Sequence, residues 1–191
     1  MMLSPHVHCH AVHFYADDRV WCRTVAAFIA EGVRQREVVV AIVTPLHRAL
    51  ILQHLLTIGV PVGEVLSTQG LQLLDASDTL RLFMTDAGPD SELFRRHVVG
   101  TVRAALESRS PSRVRGYGEM VDLLAQTGHV EHALRLEQLW NEVASALNLS
   151  LLCGYAKRSF PKELPPSDIV VQHTHLLDPY GRIGAVPVAS A

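Results

Sequence analysis

The sequence predicts an α/β fold, namely a three-layer α/β/α sandwich built around a mostly parallel sheet. The first observation behind this prediction is that short apolar segments alternate along the chain with longer amphipathic segments of helical period. Strands that alternate with crossover helices form right-handed units, which place helices on both faces of a parallel sheet. The second observation is that 48% of the 191 residues are hydrophobic. This content is sufficient for the core of one domain.

Three strands are expected in the first half of the chain, each followed by a helix. They lie at residues 10–15, 38–43 and 71–74. Asp17 or Asp18 is expected to cap the first helix, and apolar residues at helical spacing extend that helix to Arg34. The second strand is apolar and mostly β-branched, which is typical of a strand covered on both faces. Thr44 and Pro45 then begin the next helix, because proline is favoured in the first turn.

The second half continues the same alternation. A short helix capped by Ser77 and extending to Met84 is expected after the third strand. Longer helices are expected at residues 91–107, 121–126 and 130–147, and further strands at residues 113–117 and 149–155. One domain is therefore expected over residues 8–158, between a flexible lead at residues 1–7 and a loosely packed tail at residues 159–191, where prolines replace periodic apolar residues.

Charge and cysteine content argue against several classes of protein. Seventeen Lys and Arg residues against nineteen Asp and Glu residues give a formal net charge of -2, so we expect no direct nucleic-acid binding. No apolar run approaches the roughly 18 residues that span a bilayer, and the amino-terminal residues lack the pattern of a secretory signal. Three widely separated cysteines are typical of free thiols in a reducing compartment. We therefore expect a cytoplasmic protein without membrane contact.

The first strand-to-helix turn argues against a nucleotide hydrolase. Phosphate-binding loops need glycines and a lysine, as in G-x-x-x-x-G-K-[ST]. Residues 15–19 contain two aspartates and neither glycine nor lysine, and no lysine precedes Lys157. Gly116 and Gly118 do not extend into the dinucleotide pattern G-x-G-x-x-G, because Val121 stands at the position of the third glycine. We therefore expect no phosphoryl transfer and no enzymatic activity.

Histidine and cysteine near the amino terminus offer metal-ligand chemistry without a recognisable spacing. These residues are His6, His8, Cys9, His10 and His13. A structural zinc site needs four ligands in closed tetrahedral geometry, and His10 and His13 lie on opposite faces of a strand. We therefore expect no metal site and no cofactor. Cys153 ends an apolar run without a nucleophile elbow or a partner pattern, so we interpret it as a small core residue.

Six motifs, in order along the chain, resemble one known family. They are His10-Ala11-Val12-His13-Phe14-Tyr15, Leu74-Asp75-Ala76, Leu82-Phe83-Met84 with Pro89-Asp90, Arg115-Gly116-Tyr117-Gly118-Glu119-Met120, Leu136-Glu137 with Trp140-Asn141, and Leu151-Leu152-Cys153-Gly154-Tyr155. Over about residues 8–156 the chain is similar to the MEDS family, the methanogen/methylotroph sensory domain. The resemblance implies a RecA-like fold that has lost its phosphate loop and that senses small hydrocarbon-like compounds, alone or joined to histidine-kinase, DNA-binding or sigma-factor-regulating modules. Val12 stands where the family often has cysteine, so no thiol role is implied for that strand.

The resemblance also implies a ligand pocket near the carboxyl ends of the strands, where parallel sheets usually bind ligands. Its expected lining consists of Phe14, Tyr15, Tyr117, Met120, Trp140 and Tyr155, with His13 and Glu119 as polar anchors. Taken alone, Glu119 is ordinarily a helix-start carboxylate that interacts with the dipole of the following helix. Only the place of residues 115–120 within the ordered motifs marks Glu119 as a ligand contact.

Three hypotheses on function follow. The first is a stand-alone bacterial sensory domain that binds a small, largely apolar molecule and regulates a protein partner in a histidine-kinase, transcription or anti-sigma circuit. The second is a protein-interaction adaptor that binds no ligand. The third is a degenerate nucleotide-binding domain. Thermal unfolding in the presence of small molecules and nucleotides distinguishes the three, because a ligand that binds the folded state stabilises it.

Overall fold

The computed structural model of the protein describes residues 9–107, 113–147, 149–160, 167–178 and 183–186. The strands of these residues are β1 (His10–Tyr15), β2 (Val38–Val43), β3 (Leu71–Asp75), β4 (Met84–Thr85), β5 (Gly88–Pro89), β6 (Val114–Gly118), β7 (Leu149–Ala156), β8 (His175–Leu177) and β9 (Ile183–Ala185). The expected flexible lead at residues 1–7 lies outside the described residues.

One sheet contains seven of these strands, in the order β3-β2-β6-β7-β1-β8-β9. Every neighbouring pair is parallel except β8 with β9, and β4 pairs with β5 in a separate antiparallel hairpin. In the register of β1 and β7, Val12 lies beside Cys153 and Phe14 beside Tyr155, so these four side chains share one face. The prediction of a mostly parallel sheet is therefore confirmed.

Helices cover both faces of this sheet. They are α1 (Asp18–Arg34), α2 (Pro45–Thr57), α3 (Val62–Ser67), α4 (Ala76–Arg81), α5 (Ser91–Phe94), α6 (Gly100–Glu107), α7 (Met120–Gln126), α8 (Val130–Leu147) and α9 (Ser167–Val170). A π-helical turn joins α5 to α6. The helices α1 to α3 pack on one face and α4 to α9 on the other, which confirms the three-layer sandwich. Within the described residues, no helix has both the length and the apolar character needed to cross a membrane.

The first helix shows how local sequence builds these layers. Asp17 accepts a hydrogen bond from the backbone N–H of Val20 at 2.8 Å, which satisfies one of the free donors at the helix start. Trp21 lies on the buried face of α1 and reaches the backbone of β7. A Cβ atom on Gly154 would lie 2.6 Å from Cζ2 of Trp21, so only glycine lets the indole approach the sheet this closely.

The helix after β3 differs from the prediction in its cap and in its length. Asp75, and not Ser77, caps it by accepting a hydrogen bond from the backbone N–H three residues further on, at 2.9 Å. The helix ends at Arg81 instead of continuing to Met84. Phe83 is fully buried against an aromatic ring of α5, and Met84 pairs in the β4–β5 hairpin. These two interactions favour an extended exit over another helical turn.

Part of the expected carboxyl-terminal tail belongs to the folded domain. The helix α9 packs against α8, and β8 extends the sheet beside β1. The backbone N–H of Thr174 donates to the carbonyl of His10 at 2.8 Å, and His173 and Leu177 are buried. A three-residue strand and a four-residue helix are too short to display a hydrophobic period, so sequence patterns do not reveal them. The expectation of a loose tail therefore does not hold for residues 167–178.

A buried ion pair lies between β6 and the residues that precede β2. Arg115 is 1% exposed, and its Nε donates to Oε2 of Glu37 at 2.6 Å. Its Nη1 donates to the carbonyl of Phe28 at 3.3 Å, and the guanidinium lies 4.7 Å from the centroid of the Phe28 ring. Two charges so far from water depend on each other, because the loss of either partner leaves the other uncompensated.

Candidate functional site

A cavity of about 230 Å³ opens at the carboxyl edge of the sheet. It is lined by Tyr15, Thr44, Leu46, His47, Glu119, Asp122, Leu123, Gln126 and Arg158. Most of these residues come from strand ends and from the segments that directly follow them, which is the usual place for ligands in parallel α/β sheets. Two of them are aliphatic and the ring of Tyr15 adds apolar surface, so the lining combines polar groups with apolar surface.

Glu119 follows β6 directly and forms the floor of this pocket. Its Oε1 accepts hydrogen bonds from Nδ1 of His47 at 2.6 Å and from the hydroxyl of Tyr117 at 2.8 Å. Its Oε2 accepts from the backbone N–H of Thr44 at 2.7 Å, at the start of α2. The side chain makes no cap hydrogen bond to its own helix α7. Glu119 is therefore a helix-start carboxylate for the neighbouring helix, and it is 3% exposed.

His47 bridges two carboxylates at the pocket wall. Its Nδ1 faces Glu119, and its Nε2 lies 3.4 Å from Oδ1 of Asp18. Burial by itself lowers the pKa of His47, but Glu119 and Asp18 together outweigh burial and raise this pKa above its ordinary value of 6.5. In the protonated form both ring nitrogens donate, which matches the two carboxylates. Arg158 completes the row, with Nη2 donating to Oδ1 of Asp18 at 3.1 Å.

Tyr117 carries the network into the core. Its hydroxyl donates to Glu119 and accepts a hydrogen bond from Nε1 of Trp21 at 2.8 Å. Burial, followed by the charge of Glu119, holds the pKa of Tyr117 well above its usual range, so the hydroxyl remains a donor. The indole of Trp21 stacks on both His13 and Tyr15, with ring centroids 4.9 Å and 5.5 Å away. One face of the sheet thus supports the pocket from below through a continuous aromatic and hydrogen-bonded layer.

Asp122 ties together the elements that surround the pocket. Its carboxylate accepts hydrogen bonds from the hydroxyl of Tyr15 at 3.1 Å and from Nε2 of Gln126 at 2.8 Å. It also accepts from the backbone N–H of Ala156 at 3.1 Å and from Oγ of Ser159 at 2.6 Å. Burial raises the pKa of Asp122, and these hydrogen bonds oppose that effect. The side chain therefore joins β1, α7 and the end of β7.

The structure does not bring the eight predicted ligand residues together. Two of them, Tyr15 and Glu119, line the cavity. Tyr117 lies beneath Glu119, and Nδ1 of His13 donates to a backbone carbonyl of β8 at 3.0 Å. The remaining four are buried in the core on the opposite face of the sheet: Phe14, Met120, Trp140 and Tyr155. Phe14 and Tyr15 are neighbours on one strand, so their side chains point to opposite faces and the eight residues cannot share one apolar pocket.

The sequence reasoning missed three ionisable residues of the pocket, which are His47, Asp122 and Arg158. His47 stands three residues after Thr44, and Asp122 stands three residues after Glu119. Each thus occupies the first turn of a helix that follows a parallel strand, where side chains face the ligand edge. The position of His47 and Asp122 in the first turn after a strand could therefore have predicted them as pocket residues. Arg158 follows the predicted last strand, and no pattern in the sequence distinguishes it.

The fold and the pocket together define an α/β sandwich with a small cavity at its carboxyl edge. The family model of MEDS, described as "MEthanogen/methylotroph, DcmR Sensory domain", matches residues 9–169. The chain therefore belongs to the MEDS family of sensory domains. Among solved structures, the flagellar accessory protein FlaH from Methanocaldococcus jannaschii is similar at a TM-score of 0.50 and 16% sequence identity, over 91% of this chain and 71% of that chain. That likeness shows a shared fold. No curated protein matches the chain.

Because the pKa of His47 is raised in the folded protein, we expect the stabilising contribution of His47 to depend on pH. A group whose pKa is higher in the folded state contributes stability that is complete below its unfolded pKa and is lost as pH rises through the folded pKa. The His47→Gln variant is therefore expected to lose most stability, relative to wild type, below about pH 6.5, and the difference should shrink at higher pH by at most about 1.4 kcal/mol per pH unit. Urea unfolding from pH 5 to 9 measures this. His54→Gln, on the same helix, is the control; a pH-independent difference for His47→Gln would contradict the prediction.

Proposed function

We propose that the chain is a sensory domain that binds a small polar organic molecule in the carboxyl-edge pocket, and that it is not an enzyme. The observation that carries this proposal is the pocket itself, whose wall of polar groups and apolar surface joins the ends of β1, β2 and β6 to α2 and α7. Membership of a sensory-domain family supports it.

The charges at the pocket favour an uncharged or cationic ligand over an anion. The start of α1 is already capped by Asp17, and the start of α2 is already occupied by the carboxylate of Glu119. These are the helix ends where phosphate groups bind in related folds. Asp18 and Asp122 add further negative charge, and His47 and Arg158 are the basic residues that partly compensate it. An incoming anion would compete with carboxylates for the same donors.

The size and lining of the pocket refine the ligand class. A volume of about 230 Å³ lies below the roughly 300–1,000 Å³ typical of drug-sized sites. The hydroxyl of Thr44 makes no cap hydrogen bond, and Thr44 and Gln126 line the cavity together with the apolar Leu46 and Leu123. We therefore propose a ligand such as a short alcohol, diol, amide or amine, in place of the largely apolar molecule expected from the resemblance.

The ligand can transmit a signal if it binds one arrangement of the elements around the pocket more tightly than another. These walls belong to separate elements that meet through side-chain hydrogen bonds at Glu119 and Asp122. A ligand shifts such an equilibrium by its difference in affinity for the two arrangements. In this proposal a protein partner in a signalling pathway binds the surface formed by the starts of α1 and α2, where Val20 and Leu46 are exposed.

A thermal-shift panel tests the proposal. Short alcohols, diols, amides and amines are compared with carboxylates, inorganic phosphate and ATP, and each stabilising compound is followed by calorimetric titration. The expected result is a concentration-dependent rise in the melting temperature with uncharged or cationic compounds only. Leu46→Trp fills the pocket and is expected to abolish the shift. Leu56→Trp is the matched control, because Leu56 is 63% exposed on the same helix and Leu46 is 61% exposed.

The same panel separates the alternatives. A shift with ATP that survives Leu46→Trp would favour a degenerate nucleotide-binding domain. A protein that no compound stabilises would favour an adaptor without a ligand. Either result contradicts the proposed pocket.

A further inference from the structure

Four buried side chains gather between the sheet and α8, on the face opposite the pocket. They are His10 of β1, Glu137 of α8, Cys153 of β7 and His173, which follows α9. One ligand atom from each lies within 4.8 Å of all the others. The exposed fraction of these residues is at most 4%. Imidazole, thiolate and carboxylate are the ligands that zinc prefers in proteins.

Three of the four ligand atoms lie at the spacing expected around one ion, and the fourth, Nε2 of His173, is close to the other carboxylate oxygen of Glu137. Nε2 of His10 lies 3.2 Å from Oε2 of Glu137 and 3.3 Å from Sγ of Cys153. Sγ of Cys153 lies 3.5 Å from Oε2 of Glu137, and Nε2 of His173 lies 3.3 Å from Oε1 of Glu137. Zinc bonds of roughly 2.0–2.3 Å place tetrahedral ligand atoms roughly 3.3–3.8 Å apart. Charge-assisted N–H···O hydrogen bonds are shorter, at about 2.7–2.9 Å.

Both histidines are oriented through Nδ1, which leaves Nε2 for the cluster. Nδ1 of His173 lies 2.7 Å from the carbonyl of Ile169, which can only accept, so Nδ1 carries the proton. Nδ1 of His10 lies 2.8 Å from Oδ1 of Asn141. Nδ2 of Asn141 donates to the carbonyl of Gln172 at 2.8 Å, so its Oδ1 is the acceptor and His10 is the donor. In neutral rings the lone pairs on both Nε2 atoms therefore face the carboxylate and the thiol.

The Nε2 atom of His173 independently indicates a cation in this cluster. Its side chain is 0% exposed, and among the described residues this nitrogen has no hydrogen-bond partner although it faces Glu137. A buried lone pair directed at a carboxylate oxygen is unfavourable unless a proton or a metal cation lies between them, and at 3.3 Å this nitrogen does not have the geometry of a hydrogen bond to Glu137. The hydroxyl of Tyr155 donates to Oε1 of Glu137 at 2.8 Å, which orients the carboxylate as metal ligands usually are.

We propose that His10, Glu137, Cys153 and His173 form a closed zinc site. Each histidine binds through Nε2, Glu137 through its carboxylate, and Cys153 as a thiolate whose proton leaves to solvent when the metal binds. Four protein ligands and no position for water define a structural site. It connects β1, β7 and α8 to the segment from α9 to β8, and so joins residues 167–177 to the core. This site is independent of the pocket ligand.

Cobalt(II) substitution tests the site in the full chain. Protein expressed with zinc is analysed for metal, stripped with a chelator under reducing conditions and titrated with cobalt(II). The expected result is about one ion per chain, with tetrahedral d–d bands and a thiolate-to-cobalt charge-transfer band. Cys153→Ser is expected to abolish the charge-transfer band and to weaken zinc binding more than 100-fold, beyond the roughly 10–100-fold loss typical when a ligand-orienting residue is changed. Asn141→Ala is expected to show that smaller loss.

The two other thiols provide matched controls. Cys9→Ser and Cys22→Ser are expected to retain the charge-transfer band and the stoichiometry, and His175→Gln is the control for His173→Gln. If Cys153→Ser does not fold, the two cysteine controls still identify the metal ligand. A charge-transfer band that both controls retain comes from Cys153, the third cysteine of the chain. Failure to bind cobalt or zinc, binding without a sulfur band, or unchanged affinity in folded Cys153→Ser and His173→Gln would each overturn the proposal.

Discussion

Glu37→Ala is expected to lower the free energy of unfolding by about 3–5 kcal/mol, because it leaves Arg115 charged and unpaired in the core. The two side chains meet at 2.6 Å and are 4% and 1% exposed, so water cannot replace the lost carboxylate. The remaining contacts of the guanidinium, with the carbonyl and ring of Phe28, do not neutralise its charge. Urea unfolding followed by circular dichroism measures the change, at constant m-value if unfolding stays two-state.

Replacement of both Glu37 and Arg115 distinguishes the effect of the buried charge on stability from the effect of lost packing. The double variant Glu37→Leu, Arg115→Met is expected to recover most of the lost stability, since apolar groups of similar volume often replace a buried pair at little cost. Nη2 of Arg115 already lacks a hydrogen-bond partner among the described residues, which adds to the cost of keeping the charge. Glu92→Ala, at a carboxylate whose side chain is 80% exposed, should change stability by no more than about 0.5 kcal/mol. A double variant as unstable as Glu37→Ala would show that the charge is not the cause.

Glu119→Ala is expected to destabilise the protein by a similar amount, about 3–5 kcal/mol, because two buried donors and one half-buried donor lose their acceptor together. Those donors are Nδ1 of His47, the hydroxyl of Tyr117 and the backbone N–H of Thr44. Glu119→Gln is expected to lower the free energy of unfolding by less, because its amide oxygen still accepts a hydrogen bond. Some stability is still lost, because the amide nitrogen cannot accept from the backbone N–H of Thr44. Chemical unfolding at pH 6 and pH 8 measures both variants.

An exposed carboxylate provides the control for Glu119. Glu142 lies 3.9 Å from Arg95 and its side chain is 57% exposed, so Glu142→Ala should be nearly neutral. If Glu119→Ala behaved like Glu142→Ala, the hydrogen-bonded network would have no part in stability. Because Glu119 supports the start of α2, loss of ligand binding in this variant would not identify it as a ligand contact. The pocket is better tested at Leu46, which lies at its rim.

The sequence alone predicted the long regular elements. The observed β1, β2 and α8 have the predicted bounds, because their hydrophobic periods extend over enough residues to be recognised. The absence of a phosphate loop at residues 15–19 was also evident from residue types, and the structure gives the aspartates there specific partners. Short elements such as α9 and β8 were missed because their order depends on pairing with β1 and packing on α8.

Local sequence thus determined the α/β alternation, the parallel sheet and the family. Only the tertiary structure decided the partners of the buried polar groups. Glu119 and His47 are 72 residues apart in sequence, and Arg115 and Glu37 are 78 residues apart. His10 and Cys153 are separated by 143 residues and meet because β1 pairs with β7. Periodicity reports which face of an element is buried. Which buried groups meet depends on the order of strands in the sheet, and that order is set by contacts across the whole chain.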